Sequence, residues 1–373
     1  MKIIVNDTAA SRTGALSVLK DFYAYIRQDD KRYAEINGEK ERLDWIFLLS
    51  APYLEETDNI KVIVLSDVKM SRKARLMFDL KEGRKYIMSF KPDVYFSMQN
   101  TLPGGLDCKS VLYVHQPLCF QRMKNFSLLK EEEREYAVYQ HLIGKLIYAS
   151  IKRADKTIVQ TEWMRQEAIR RTGVREDRVV KVTPDIDTSG LVLRLKKNNG
   201  NTFFYPSGPM LYKNHECILK AVKLLRDEGI TGFTVSLTIT KEELKKLCPG
   251  EIPENILCEG SLEREEVLKR YQSSVLLFPS YIESFGYPPA EARAMGSVIF
   301  AADTPCMREI LEGYEGAFLF DPFKPAELKE LMERYLRGEI DRTLIYDNML
   351  PVGRALGEKT ESSWGLVLNE LIG

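Results

Sequence analysis

Histidine is scarce in this chain, three in 373 residues, and the six cysteines (108, 119, 217, 248, 258 and 306) form no C-x-x-C pair. No structural zinc site is therefore expected. No stretch approaches the roughly 20 consecutive apolar residues that a membrane-spanning helix needs. The opening, MKIIVNDTAASRTG, reads as a first strand and not as a secretion signal. The cysteines accordingly read as reduced thiols of a cytoplasmic protein. An excess of either charge is missing too, with 54 basic against 54 acidic residues and a pI near 6.9. That argues against a nucleic-acid binder. G-x-G-x-x-G is absent, and with it the dinucleotide-binding fingerprint. What is present is the 44% hydrophobic content of a globular protein, and length for two domains with separate cores.

The most informative stretch is Ser274 to Asp303. Val275 to Phe278 is a short apolar run bounded by Pro279 and Ser280, which reads as a buried strand. A polar loop follows, with Glu283, Ser284, Phe285 and Gly286. Pro288 and Pro289 then mark the first turn of a helix, where a missing N–H costs little. The helix carries Glu291 and stops at Gly296, and Val298 to Ala302 reads as the next strand. This is a strand–loop–helix–strand unit of an α/β sheet. Amides of the loop and first turn, with the helix dipole, favour an anion such as a diphosphate. Glu283 and Glu291 would repel phosphate, so they should face hydroxyls, which a carboxylate binds strongly. Diphosphate between hydroxyl-bearing ends describes a nucleotide sugar. Two ordinary exposed acids at a helix start would give the same letters.

Glu283-Ser-Phe-Gly-Tyr-Pro-Pro-Ala-Glu291-Ala-Arg-Ala-Met-Gly296 resembles the E-x7-E signature of retaining GT-B glycosyltransferases of the family 4 type. The resemblance covers the second half of the chain in detail and the first in outline. It implies that Glu291 binds ribose hydroxyls, that Glu283 contacts the transferred sugar, and that Ser284, Phe285, Gly286 and Tyr287 hold sugar and diphosphate. It also implies a fold of two Rossmann-like α/β domains facing across a cleft. The expected division is residues 1–187 for the acceptor-side domain and 188–355 for the nucleotide-sugar domain. Residues 356–373, with Trp364, Leu366, Leu368 and Leu371, are expected to form a helix packing back on the first domain.

Other positions take meaning within that frame. His115 ends the apolar run Val111 to His115, where ligands of open α/β sheets bind. A lone histidine is more often structural, but Tyr113-Val-His115-Gln-Pro resembles family members whose histidine lies near the transferred sugar. Lys213 lies between a strand end and a helix start, where its charge can reach a phosphate. The family usually places an arginine shortly before this lysine. Pro209 to Tyr212, after Gly208, contain none, and Arg12 is the candidate replacement. Gly208 joins the donor-binding set by the same resemblance, as do Gly14, in the loop after the first strand, and Gly260, beside the base. Backbone groups read the base there, so its identity leaves no side-chain record. Asp185-Ile-Asp187 falls at the domain crossing and reads as structural, so neither metal nor cofactor is expected.

Two runs mix cations with apolar residues: Lys69 to Lys91, with a stripe of Leu76, Met77, Leu80, Ile87 and Met88, and Phe120 to Lys130. Either could touch an anionic membrane, or be only a solvated face. The expected activity is retaining transfer of a sugar from a nucleotide diphosphate sugar to a glycan or lipid-linked acceptor, in bacterial surface polysaccharide synthesis. The expected place is the cytoplasm or the inner face of the membrane. Two alternatives stay open: a sugar-nucleotide epimerase on the same fold, and a non-catalytic nucleotide-sugar-binding protein.

Overall fold

Strands follow the short apolar runs. In the computed structural model, which describes residues 1–10, 13–65, 74, 77–186, 201–340 and 361–373, fifteen strands are set out. The chain divides into two compact units. Unit 1 comprises Met1–Phe120, Tyr136–Pro184 and Glu361–Gly373; unit 2 comprises Gln121–Glu135 and Asp185–Thr360. The expected boundary after Asp187 lies outside the described residues.

Unit 1 is built on a seven-stranded sheet of β1 (Lys2–Asp7), β4 (Asp44–Leu49), β5 (Ile60–Val64), β6 (Val94–Ser97), β7 (Lys109–Val114), β8 (Lys156–Val159) and β9 (Val179–Lys181). Every pairing is parallel, and the order is β5-β4-β1-β6-β7-β8-β9. Both faces are covered, so the strands are apolar throughout. Ile3 and Val5 point to one core and Ile4 to the other, as the two-residue period of a strand requires. The first core takes Leu19, Phe22 and Ile26 from the helix Thr13–Ile26. It also takes Val367, Leu368 and Leu371 from the helix Ser363–Ile372, whose Trp364 stacks on Phe22 at 5.0 Å. A small hairpin, β2 (Tyr33–Ile36) and β3 (Glu39–Arg42), turns at Asn37 and Gly38, both with positive φ. In the basic run, Phe78 and Ile87 are buried while Leu80 is exposed, so the expected stripe is only partly the packed face. Its Lys69 and Leu76 lie outside the described residues.

Unit 2 has six parallel strands: β10 (Thr202–Tyr205), β11 (Thr234–Leu237), β12 (Ile256–Cys258), β13 (Val275–Phe278), β14 (Ile299–Ala302) and β15 (Ala317–Phe320). Their order is β12-β11-β10-β13-β14-β15. The order reverses between β10 and β13, and in unit 1 between β1 and β6. Loops leaving the carboxyl ends of strands at such a reversal diverge and leave a crevice, where ligands of open α/β sheets bind.

Candidate functional site

Lys213 follows β10 and Glu283 follows β13, the two strands at the reversal in unit 2. The chain after β10 makes a tight turn, Leu211–Lys213, and Asn214 takes a left-handed conformation (φ 61°) that starts the helix His215–Asp227. Several bonds fix this corner. The Tyr205 hydroxyl donates to the Lys213 carbonyl (2.7 Å), and Asn214 Nδ2 donates to the carbonyls of Pro322 (2.8 Å) and Pro279 (3.3 Å). Tyr281 N–H donates to the Tyr212 carbonyl (3.2 Å), tying the corner to the loop after β13. Lys213 Nζ lands 2.5 Å from Glu283 Oε1, with both side chains only 14% and 13% exposed. The ammonium also lies 5.6 Å from the Tyr212 ring centre and 5.9 Å from that of Phe278.

Glu291 sits in the helix Tyr287–Ala294 and is 5% exposed. Arg264 Nη1 donates to its Oε1 (2.6 Å) and the Tyr271 hydroxyl to its Oε2 (3.2 Å). Glu291 is therefore no exposed helix-start acid. A carboxylate has about four acceptor positions, so these two donors leave room for ligand hydroxyls. The loop between the glutamates is tightly made. Gly286 has φ 85°, a conformation that favours glycine, and a Cβ there would also press on Met307 Cε at 2.7 Å, so that this side-chain end would have to shift. Buried Phe285 stacks edge-on against Tyr287 (5.2 Å), which is partly exposed. Ser284 lies in the same loop. Pro288 and Pro289 occupy the first helical turn and carry no N–H, so the donors for an anion must come chiefly from the loop.

Gly260 follows β12 with φ 74°, and its turn is braced by Glu259, which receives two hydrogen bonds from Arg270 (3.0 and 2.8 Å). Gly208 lies between β10 and Lys213, with Met210 Cε 3.3 Å from where its Cβ would be. Arg264, Tyr271 and Arg270 are absent from the sequence expectation. Arg264 and Arg270 stand among several charged residues of one helix, and only the fold shows which of them face the glutamates. Arg12 lies outside the described residues, as does Asp187 of the D-x-D pair. Among the described residues no group of His, Cys, Asp and Glu is arranged to hold a metal ion.

In unit 1 the reversal falls between β1 and β6. Thr8 Oγ1 donates to Gln99 Oε1 (2.8 Å) across it. His115, just past β7, is half-buried; its backbone N–H and that of Gln116 donate to Asn100 Oδ1 (2.8 and 2.9 Å). Burial lowers the His115 pKa from 6.5 to about 4, and that of buried His215 likewise. Gly14 is the second residue of the helix Thr13–Ile26. Asp7, at the end of β1, is buried, and loss of solvation raises its pKa from 3.8 to about 8, against a backbone hydrogen bond at Ala10 that lowers it.

These groups give a pH dependence of stability. Between pH 4 and about 8 folded Asp7 keeps a proton that the unfolded chain releases, so Asp7 lowers stability as pH rises through that window. The two histidines act oppositely. Between pH 6.5 and about 4 the unfolded chain binds protons that the folded chain refuses, so stability falls as pH falls. Asp7→Asn should remove the first slope and leave the second. Urea unfolding at pH 5, 6.5 and 8 should show the variant gaining on the parent chain with rising pH, by on the order of a few kcal/mol at pH 8. Parallel curves at all three pH values would place Asp7 in water.

Comparison with known proteins bears on the fold and on the second half of the chain. The family model for glycosyl transferases group 1 matches residues 194–349. The serotype-specific mannosyltransferase WbdA of Escherichia coli is 24% identical over 210 residues, which cover 51% of this chain and 26% of WbdA. The chain thus spans about a quarter of the length of the curated relatives it matches. Among solved structures, the apo lipopolysaccharide outer core galactosyltransferase WaaB aligns with a TM-score of 0.60 at 14% identity, over 100% of this chain and 99% of its own. Anabaena Alr3699/HepE in complex with UDP-glucose aligns at 0.64 and 14% identity, over 100% and 98%. The chain thus has the GT-B fold in two compact units, and its residues 194–349 match the family model of the glycosyl transferases group 1.

Proposed function

We propose that the protein is a retaining glycosyltransferase that moves a sugar from a nucleotide diphosphate sugar to a glycan or lipid-linked acceptor, in bacterial surface polysaccharide synthesis. The observation that carries this is the Lys213–Glu283 pair at the strand reversal of unit 2, with Glu291 held eight residues on. Lys213 exchanges Glu283 for the donor diphosphate and stabilises it as it leaves. Glu283, released, receives hydroxyls of the transferred sugar. Glu291 takes ribose hydroxyls on the acceptor positions that Arg264 and Tyr271 leave open. The C1–O bond to phosphate breaks, the acceptor oxygen bonds C1 on the same face, and the acceptor's proton passes to the leaving phosphate. His115 contacts the sugar. The match to glycosyl transferases group 1, the UDP-glucose complex of Alr3699/HepE and the mannosyl- and galactosyltransferase names of the relatives support this reading. No metal or cofactor is proposed, because Lys213 and the loop amides supply the positive charge.

A second proposal concerns where the acceptor is met. In the loop before the helix Glu131–Ala137, Leu129 is 92% exposed and Leu128 is 48% exposed. The loop is braced from within: Ser127 N–H donates to buried Glu133 (2.9 Å), and Lys124 pairs with the same carboxylate (3.0 Å). Two leucines on a rigid tip beside exposed Lys130 suit the headgroup layer of an anionic bilayer. Among the described residues no helix is long and apolar enough to cross one. Cosedimentation with phosphatidylglycerol-containing vesicles at low salt should be lost in Leu129→Asp. Protein that stays in the supernatant with such vesicles at low salt would dismiss this contact.

Steady-state kinetics tests the first proposal. Ribose hydroxyls keep their charge through the reaction, so Glu291→Ala should mainly raise donor KM, about tenfold to a hundredfold for a lost charged hydrogen bond. Glu283 meets the sugar where positive charge develops, so Glu283→Gln should mainly lower kcat. Activity should persist in EDTA. A Glu283→Gln enzyme with full kcat, or activity abolished by EDTA and restored by Mn2+, would refute the assignment.

A further inference from the structure

Asn100 holds His115 by its backbone and by its ring. It has φ 68°, a left-handed conformation that asparagine tolerates better than most residues. It sits in the loop after β6, beside the carboxyl end of β7. Its Oδ1 accepts two backbone N–H groups, from His115 (2.8 Å) and Gln116 (2.9 Å). Those two donors fix which way the amide is turned, because an NH2 group in that place would face both of them. Nδ2 must then be the atom 3.3 Å from His115 Nε2. Nδ2 only donates, so Nε2 must accept. A neutral imidazole that accepts at Nε2 carries its proton on Nδ1. His115 Nδ1 is buried and has no hydrogen-bond partner among the described residues.

The imidazolium is disfavoured by the same contact. A second proton would sit on Nε2, N–H against the Asn100 NH2. Among the described residues Tyr113 is packed on the ring at 5.8 Å, and is itself near Trp364 at 6.3 Å. Asp7 stands two strands away at the same sheet edge, and burial keeps it protonated up to about pH 8. Burial sets the direction of the His115 shift, which is downward.

We propose that Asn100 is a positioning residue that locks His115 as the neutral Nδ1–H tautomer, so that His115 presents the sugar with a fixed, uncharged ring and not with an acid or base. The proposal rests on the reading that His115 contacts the sugar. A neutral ring fits a retaining transfer in which the leaving phosphate takes the acceptor's proton, since no side-chain base is then needed.

The test uses the full chain labelled with 15N-histidine, its three histidines assigned with His215→Leu and His141→Gln. His115 should show a bare Nε2 and a protonated Nδ1, unchanged between pH 5 and 8, the window in which an ordinary histidine titrates. Asn100→Asp keeps the two backbone acceptor bonds and places a carboxylate oxygen against Nε2. It should move a proton onto Nε2 and bring the His115 titration into that window. In the same variant kcat should fall about tenfold or more with donor KM little changed. His115 titrating in the parent chain, or carrying its proton on Nε2, would overturn the lock. A locked tautomer with unchanged kcat in Asn100→Asp would overturn the positioning role. Neither result touches donor binding by Lys213 and Glu291, whose failure would appear as an absence of nucleotide-sugar binding.

Discussion

An ammonium and a carboxylate that are both mostly shielded from water cannot be separated without replacements. Removing one partner of such a pair strands the other charge in a poorly solvating site. Lys213 and Glu283 are in that position, 2.5 Å apart at the point where the strand order of unit 2 reverses. A ligand that takes one must also satisfy the other. A diphosphate alone would satisfy Lys213 and strand Glu283; a free sugar would do the reverse. A molecule that offers diphosphate and hydroxyls together meets both demands. In the proposed reaction the pair would couple recognition of the leaving group to recognition of the sugar.

Glu291 shows how the same side chain is put to a different use. It is held by Arg264 and Tyr271 inside the first turns of a helix, while Arg264 is itself 58% exposed. Its carboxylate is thus oriented and partly neutralised before any ligand arrives. That suits a group meant to grip unreacting hydroxyls, where pre-set geometry saves ordering entropy on binding. Glu283, by contrast, has a partner that the substrate itself would draw away. In unit 1 the reversal between β1 and β6 gathers Asp7, Gln99, Asn100 and His115, groups kept neutral by burial or by their own chemistry.

Much of this was legible in the letters. Short apolar runs bounded by Gly, Pro and Ser gave the parallel strands, and Glu283 to Gly296 marked the loop and helix of the site. Other parts needed reading that local patterns could have supplied. Asn37-Gly38 is a strong hairpin signal, and Thr240-x-x-Glu243 is a capping box that the structure makes in full around the helix Lys241–Leu247; neither is in the expectation. Asn100, Arg264 and Tyr271 are different. Each is near its partner in space and 15 to 27 residues away in sequence. Nothing in their flanking residues sets them apart, and only the pairing of strands and the packing of helices brings them to the glutamate or the histidine. Within that stretch Pro288 and Pro289 carry no N–H, which leaves the donors of the turn mainly to the loop before them.

Ligand-dependent unfolding tests the central claim most directly, that unit 2 binds a nucleotide diphosphate sugar through Lys213. Thermal unfolding of the full chain would be followed against a panel of nucleotide sugars covering the common bases and hexoses. At about 100 times its Kd the right donor should add about 2.7 kcal/mol, and Lys213→Ala should lose most of that gain. Unchanged unfolding with every donor, or a gain that survives in Lys213→Ala, would contradict the account.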